Sequence, residues 1–266
     1  MRYYSDNWAT TSSSTTTTTA TTKTAAKPIG NFSLAKLLAL LLPIVVVTIL
    51  YTLFKPNDAK AATVLIVTDS GSGTGCVLTA DGYILTNRHV IAGASTITVY
   101  FDSGSAKPIK LSATVSQKGE ASATPANTIP EFLKQLPNDF AILKVQADKL
   151  AHFTIADDTT FNKGAKVTAI GYGKTMIDGS GDKTPSQDMP TGTISAFLPS
   201  DTEQRLIIHT CTIQKGFSGG PLIDERGRLI GINTASTPDD IGNNKQVAIP
   251  INTFRGIINS VKQGKQ

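Results

Sequence analysis

Cysteine is nearly absent: the 266 residues hold two, Cys76 and Cys211. A disulfide framework needs more, and both lie in apolar-leaning segments, so buried free thiols are expected. Histidine is as sparse, limited to His89, His152 and His209. No grouping of Cys and His has metal-ligand spacing, so no metal and no cofactor is implied. Aromatics make up 6% of the chain, and a basic block is missing where nucleic acid would need one. Residues 1–61 carry six Lys/Arg and two acids, whereas residues 62–266 carry 19 Lys/Arg against 18 acids. The net +5 therefore sits mostly in the N-terminal segment, which argues against a nucleic-acid partner. "GSGTG" at residues 71–75 lacks the Gly-Lys-Ser/Thr that completes a phosphate loop. It reads instead as a flexible lead into a core strand.

One stretch lacks charge altogether. "LLALLLPIVVVTILYTLF", residues 37–54, runs 18 residues between Lys36 and Lys55. It has no polar face, is long enough to span a bilayer, and tolerates Pro43 within a membrane helix. "AKA" at residues 59–61 resembles a signal-peptide cleavage site, but the run is long and about 36 residues precede it. An uncleaved signal anchor over residues 34–55 is expected. The Lys/Arg bias places the N-terminus in the cytoplasm and residues from about 56 onward outside. The Thr/Ser-rich "ATTSSSTTTTTATTKTAA" predicts a disordered tail over residues 1–33, and residues 56–63 a linker.

From residue 62 the pattern changes. Short β-branched or alternating runs, such as "ATVLIVT", "YILTN", "FAILKV", "RLIIHTCTI" and "RLIGINTA", recur between turn signals. Roughly twelve such runs predict an all-β sandwich or barrel. Asp81-Gly82 marks a hairpin turn. Only two helical segments stand out: "PEFLKQL" at 130–136, and 252–263, where Asn252 is placed to cap and Phe254, Ile257, Ile258 and Val261 share a face. Alternating helices are missing, so a doubly wound sheet is excluded.

"KGFSGGPLID", residues 215–224, boxes Ser218 between glycines. Alone, this could be a turn, because Gly, Ser and Pro are what turns prefer. A serine hydroxyl becomes a nucleophile only with a base, and the base needs an orienting partner. All three histidines precede Ser218. This excludes the α/β-hydrolase order, in which histidine follows serine. His…Asp…Ser remains open, and Asp…His…Ser is formally available through Asp69 or Asp81, although the fold that uses it is α/β. His89 follows a hairpin-like strand at the start of a small-residue turn. His152 has no nearby signature and reads as a surface or strand residue. His209 reads as a satisfied strand histidine. Asp139 sits just before an apolar strand, where it is either a solvated turn residue or a buried acid that needs a partner.

Together "GYILTNRHVI", "NDFAILKV", "KVTAIGYG", "TGTISAF" and "GFSGGPLIDERGRLIGINTA…QVAIPIN" resemble trypsin-like serine peptidases of the HtrA (Deg) branch, over about residues 64–262. The resemblance implies two packed six-stranded antiparallel β-barrels, roughly 64–155 and 156–250, with a C-terminal helix at 252–263, forming a peptidase domain over 64–266. It implies that His89 is the general base, Asp139 orients it, Ser218 is the nucleophile, and the amides of Gly216 and Ser218 form the oxyanion hole. Asn233, Thr234 and Ala235 would lie along the strand that pairs with substrate. Thr212 and Ile213, with Ala235 opposite, would line the primary specificity pocket. No acid is placed at its base, so a small or medium apolar side chain is the expected preference.

The chain departs from that family at Phe217, where trypsin-like digestive enzymes carry an aspartate that pairs with a newly cut N-terminus. Activation by such a cut is therefore not expected. An extra stretch, 120–136, precedes Asp139, and "PEFLKQL" is expected to form a lip over the subsites N-terminal to the cut. A second long loop spans about 174–190. Few residues follow the final helix, so no PDZ domain is expected. The implied function is a membrane-anchored serine endopeptidase acting on unfolded proteins outside the cytoplasm, with a homo-oligomer left open. The alternative is a catalytically idle trypsin-fold module that binds peptides or partners.

Overall fold

The computed structural model describes residues 42–43, 59–102, 107–123, 125–157, 161–173, 186–198, 205–236 and 245–264. The expected tail and anchor lie outside these, apart from Leu42 and Pro43, which are helical. Among the described residues no helix is long and apolar enough to cross a membrane.

Six strands form the first barrel: β1 (Thr63–Thr68), β2 (Ser72–Val77), β3 (Tyr83–Thr86), β4 (Ile97–Phe101), β5 (Ile109–Lys118) and β6 (Ala141–Val145), closed in the order β1-β2-β3-β6-β5-β4. Next come β7 (Lys166–Ala169) and a small ribbon of β8 (Gly171–Tyr172) and β9 (Gln187–Asp188). The second barrel adds β10 (Thr191–Leu198), β11 (Leu206–His209), β12 (Pro221–Asp224), β13 (Leu229–Ser236) and β14 (Gln246–Pro250) to β7, closed in the order β10-β11-β14-β13-β12-β7. The two six-stranded antiparallel barrels are as expected, and counted in chain order within each barrel the two rings have the same connectivity.

The near-continuous apolar runs arise because strands are buried on both faces. In β3, Ile84 points into the first barrel with Val64, Ile66 and Leu143. Its neighbours Tyr83 and Leu85 belong to a layer shared with the second barrel's Ile208, Ile232 and Ile249. A third cluster, including Val167, Ile194, Leu222 and Ile230, fills the second barrel. The Asp81-Gly82 turn is present, with Gly82 at φ +103°. A Cβ there would lie 2.4 Å from the carbonyl oxygen of Val145, so the position requires glycine.

Two α-helices follow the sequence signals. The first, α1 (Ile129–Gln135), starts with a capping box the sequence reading did not use: the Thr128 hydroxyl accepts from the Glu131 amide, and the Glu131 side chain accepts from the Thr128 amide. Leu133 and Leu136 anchor this segment in the shared layer. The last helix, α2 (Arg255–Lys262), is preceded by a 3-10 turn at Ile251–Phe254, so Asn252 is not its cap. Instead, the Asn252 side-chain oxygen accepts from Nε of Arg255 at 3.0 Å. Phe254, Ile258 and Val261 are buried and Ile257 partly so.

"GSGTG" is not a flexible lead. From Gly73 to Val77 every residue of β2 is buried. Both cysteines are free and buried, as expected.

Candidate active site

The end of β3 turns at Asn87 into a 3-10 turn, Arg88–Ile91, whose Val90 and Ile91 are buried. Those two side chains fix the turn to the first barrel and leave the His89 side chain 46% exposed. A second 3-10 turn, Leu136–Asn138, ends at Asp139. Nδ1 of His89 lies 2.6 Å from Oδ2 of Asp139, and the His89 amide donates to Oδ1 at 3.0 Å. A carboxylate only accepts, so Nδ1 carries a proton, and in the neutral ring that tautomer leaves the lone pair on Nε2. The Asn87 side chain donates to the Asp139 carbonyl at 2.8 Å. From the second barrel, Oγ1 of Thr234 donates to Oδ2 of Asp139 at 2.9 Å. Burial pushes the Asp139 carboxyl up, but the His89 ring and amide and the Thr234 hydroxyl more than offset it, leaving its pKa below the usual value. Of the two readings of Asp139, the buried and partnered acid is the one present.

Ser218 lies on the loop between β11 and β12. The Phe217 amide donates to the Gln214 carbonyl at 3.1 Å, and Gly216 has φ +102°. A positive φ at the third residue of such a turn marks type II. This geometry orients the Gly216 N–H opposite to a type I turn. Among the described residues neither the Gly216 nor the Ser218 amide donates a hydrogen bond. Phe217 is 1% exposed and packs in the second barrel's core cluster. On the other side of Ser218, Gly219 has φ +81°, and a Cβ there would lie 2.2 Å from Oγ1 of Thr86 and 2.9 Å from the Asn87 amide. That close backbone approach brings the Ser218 loop against the turn that carries His89. Sγ of Cys76 donates to the Gly219 carbonyl at 3.3 Å, from within the first barrel.

Beside Ser218 is a cavity of about 310 Å³ lined by Ile213, Gln214, Lys215, Thr234, Ser236 and Gln246. Of the expected pocket residues Ile213 lines it, as does Thr234, expected on the substrate-pairing strand. Thr212 is exposed outside it, and Ala235 is placed only as a strand residue opposite Val247. Asn233 is fully buried rather than on a substrate face. Its amide donates to the Gly220 carbonyl, its carbonyl accepts from Gly219, and its side chain donates to the carbonyls of Gly220 and Pro221 at 3.1 and 3.2 Å. It therefore braces the Ser218 loop from behind. Four wall residues were missed, Gln214, Lys215, Ser236 and Gln246; of these, Oγ of Ser236 donates to Oε1 of Gln246 at 2.8 Å. Pairing β13 with β14 places the two opposite one another, and that register was the available signal. Among the described residues no acid lines the cavity.

The other histidines stay apart from this centre. His152 is exposed, with Nδ1 3.0 Å from the Leu150 carbonyl. His209 is fully buried in β11. Burial pulls its pKa down to about 4, and the Asn233 side chain acts in the opposite direction. It is a neutral core histidine.

The profile of the trypsin-like peptidase domain matches residues 73–232. A probable periplasmic serine endoprotease of DegP-like type from Halomonas elongata is 34% identical over 167 residues, covering 61% of this chain and 29% of its own length. A namesake from Bartonella henselae is 29% identical over 192 residues, covering 70% and 32%. The chain thus spans less than half the length of these curated relatives. The serine endoprotease from Yersinia pestis superposes with a TM-score of 0.57 at 25% identity, covering 79% of this chain and 66% of that one. Rv3671c from M. tuberculosis H37Rv, in an inactive mutant form, shares the fold with a TM-score of 0.56 at 21% identity, covering 78% and 90%.

Proposed function

Because this chain belongs to the trypsin-like peptidase family, we propose that it is a serine endopeptidase of HtrA/DegP type. The observation that carries this reading is the buried Asp139 carboxylate, which accepts from the His89 ring, the His89 amide and Thr234 at once. Such an acid fixes one imidazole tautomer and stabilises the imidazolium that forms when the base is protonated.

In this mechanism Oγ of Ser218 attacks the scissile carbonyl while Nε2 of His89 takes its proton. The oxyanion accepts hydrogen bonds from the amides of Gly216 and Ser218. Collapse expels the amine, which receives the proton from His89, and leaves an acyl group on Ser218. Water, deprotonated by His89, then releases the acid and restores the serine. The substrate backbone pairs alongside β13 near residues 234–236, and its side chain enters the 310 Å³ cavity. The Ser236–Gln246 bond in the cavity wall and the lack of an acid among the described lining residues suit a small or medium side chain without positive charge. Helix α1 forms a lip over the subsites N-terminal to the cut. Deleting it shifts the cleavage-site profile, and an unchanged profile refutes the lip.

The domain is tethered by residues 37–54, with the N-terminus in the cytoplasm, and acts on unfolded proteins outside it. The charge-free run and the periplasmic names of the DegP-like relatives support this placement. Phe217 sits in the barrel core where a charged relative would need a new N-terminus, so the oxyanion loop is held without chain cleavage. Activity that appears only after such a cut refutes that point.

Labelling with a fluorophosphonate probe tests the whole reading. The folded protein should label, and Ser218→Ala and His89→Ala should not. Failure of the folded wild type to label leaves an idle peptide-binding module.

A further inference from the structure

Thr74 lies in the middle of β2 and is fully buried, and each of its polar groups is committed. Its amide donates to the Ser218 carbonyl at 2.9 Å. Its carbonyl accepts from the Thr86 hydroxyl at 2.7 Å. Its own hydroxyl accepts from the Tyr172 amide at 3.0 Å and donates to the Gly216 carbonyl at 2.7 Å. A hydroxyl has one proton and two lone pairs. The Tyr172 amide occupies a lone pair, so the proton is aimed at Gly216.

We propose that Thr74 is a positioning residue of the oxyanion hole, whose side chain sets the spacing and direction of the two donor amides. The proposal rests on the serine-peptidase reading above. The carbonyls it holds belong to Gly216 and Ser218, the same two residues whose amides face the developing charge. Phe217 between them is clamped in the second barrel's core. Three consecutive residues of the loop are thus fixed, the outer two by one buried side chain and amide from the other barrel. Gly73 fits the same requirement. A Cβ there would lie 2.7 Å from the Val90 side chain and 3.1 Å from the Ser218 carbonyl oxygen. The "GSGTG" stretch is therefore the fixed surface against which the nucleophile loop is seated.

The Thr74 hydroxyl does not touch substrate, so its loss should lower kcat and leave KM largely unchanged. Removing an oxyanion donor outright costs about 10²–10³ in kcat, and loosening both by deleting the hydroxyl should cost about 10–100-fold. The test compares wild type, Thr74→Val, Thr74→Ser and Thr63→Val on a fluorogenic peptide, with thermal unfolding recorded for each. Thr63 is also buried and donates its hydroxyl to the Ala59 carbonyl at 2.6 Å, away from the loop. Thr74→Val should lose kcat with KM within about twofold, and Thr74→Ser should stay within about threefold of wild type. Thr63→Val should lose stability but keep kcat. If Thr74→Val does not fold, Thr74→Cys, with its weaker S–H donor, should fall between Ser and a full loss. Thr74→Val at full kcat, or Thr63→Val losing as much, overturns this assignment while the peptidase reading stands. A folded wild type that neither labels nor hydrolyses removes both.

Discussion

The first barrel holds its share of the cleft through hydrogen bonds. Asp139 accepts from the His89 ring and amide, Asn87 supports the Asp139 carbonyl, and Thr74 holds the carbonyls on either side of Phe217. The second barrel, with the same strand connectivity, also hydrogen-bonds the Ser218 loop through Asn233, but it adds packing, with Phe217 buried among Val167, Ile194, Leu222 and Ile230. The forces differ in kind. A hydrogen bond contributes only about 0.5–1.5 kcal/mol net but dictates direction. A buried aromatic side chain contributes several times more to stability and dictates only location. On the proposed reading, the groups that must aim, the His89 base and the oxyanion amides, are steered chiefly by the first barrel, with Thr234 of the second also holding Asp139. The group that must stay put is set by the second.

This contrast can be broken by experiment. The largest effect is expected at Asp139. Replacement by Asn keeps the shape but disturbs the tautomer of His89, and should lower kcat by about 10⁴-fold with a far smaller change in urea midpoint. A loss of stability without a loss of rate defeats the contrast. Next is Phe217→Ala, which should cost about 3–5 kcal/mol in urea unfolding through the cavity it leaves. If the midpoint barely moves, the packing account is wrong. The smallest effect depends on pH. The His209 pKa is lowered from 6.5 to about 4, so between these values the unfolded chain binds a proton that the folded chain does not. Stability contributed by this group is complete above about 6.5, falls as pH drops toward 4, and falls no further below. The lost contribution is on the order of 3 kcal/mol. His209→Gln should show less loss of urea stability between pH 7.5 and pH 4.5 than wild type, and equal losses refute the assignment. The lowered Asp139 pKa works in the same direction at lower pH, because its contribution is present above the ordinary carboxylate value and lost as the carboxyl protonates.

Strands, the Asp81-Gly82 turn and the approximate helix positions were legible in the sequence because each depends on neighbours along the chain. The pairing of His89 with Asp139 was legible only through the resemblance of several sequence blocks taken together, since chemistry alone left Asp69 and Asp81 open as partners. The role of Thr74 was not, since it meets Gly216 across 142 residues of chain and only the docking of two barrels creates that contact. Asn233 and Gln246 were misread or missed for a related reason. A strand pattern tells which residues alternate, but the neighbouring strands decide whether a face meets substrate, loop or core. Asn252 shows the limit of cap signals: a preceding 3-10 turn moved the helix start and gave its side chain to Arg255.

The Thr234–Asp139 bond joins positions 95 residues apart and has a consequence in time. A ribosome delivers the chain in order, so His89 and Asp139 are present when the first barrel ends at Val145, long before Ser218 is made. Even then β12, β13 and β14 have still to be added before Thr234 reaches Asp139 and the second ring closes. A nascent chain stalled just after Ser218 would own every reactive side chain and still have no formed cleft. On the proposed reading competence arrives with the last strand, so vectorial synthesis itself delays the chemistry until folding is nearly finished.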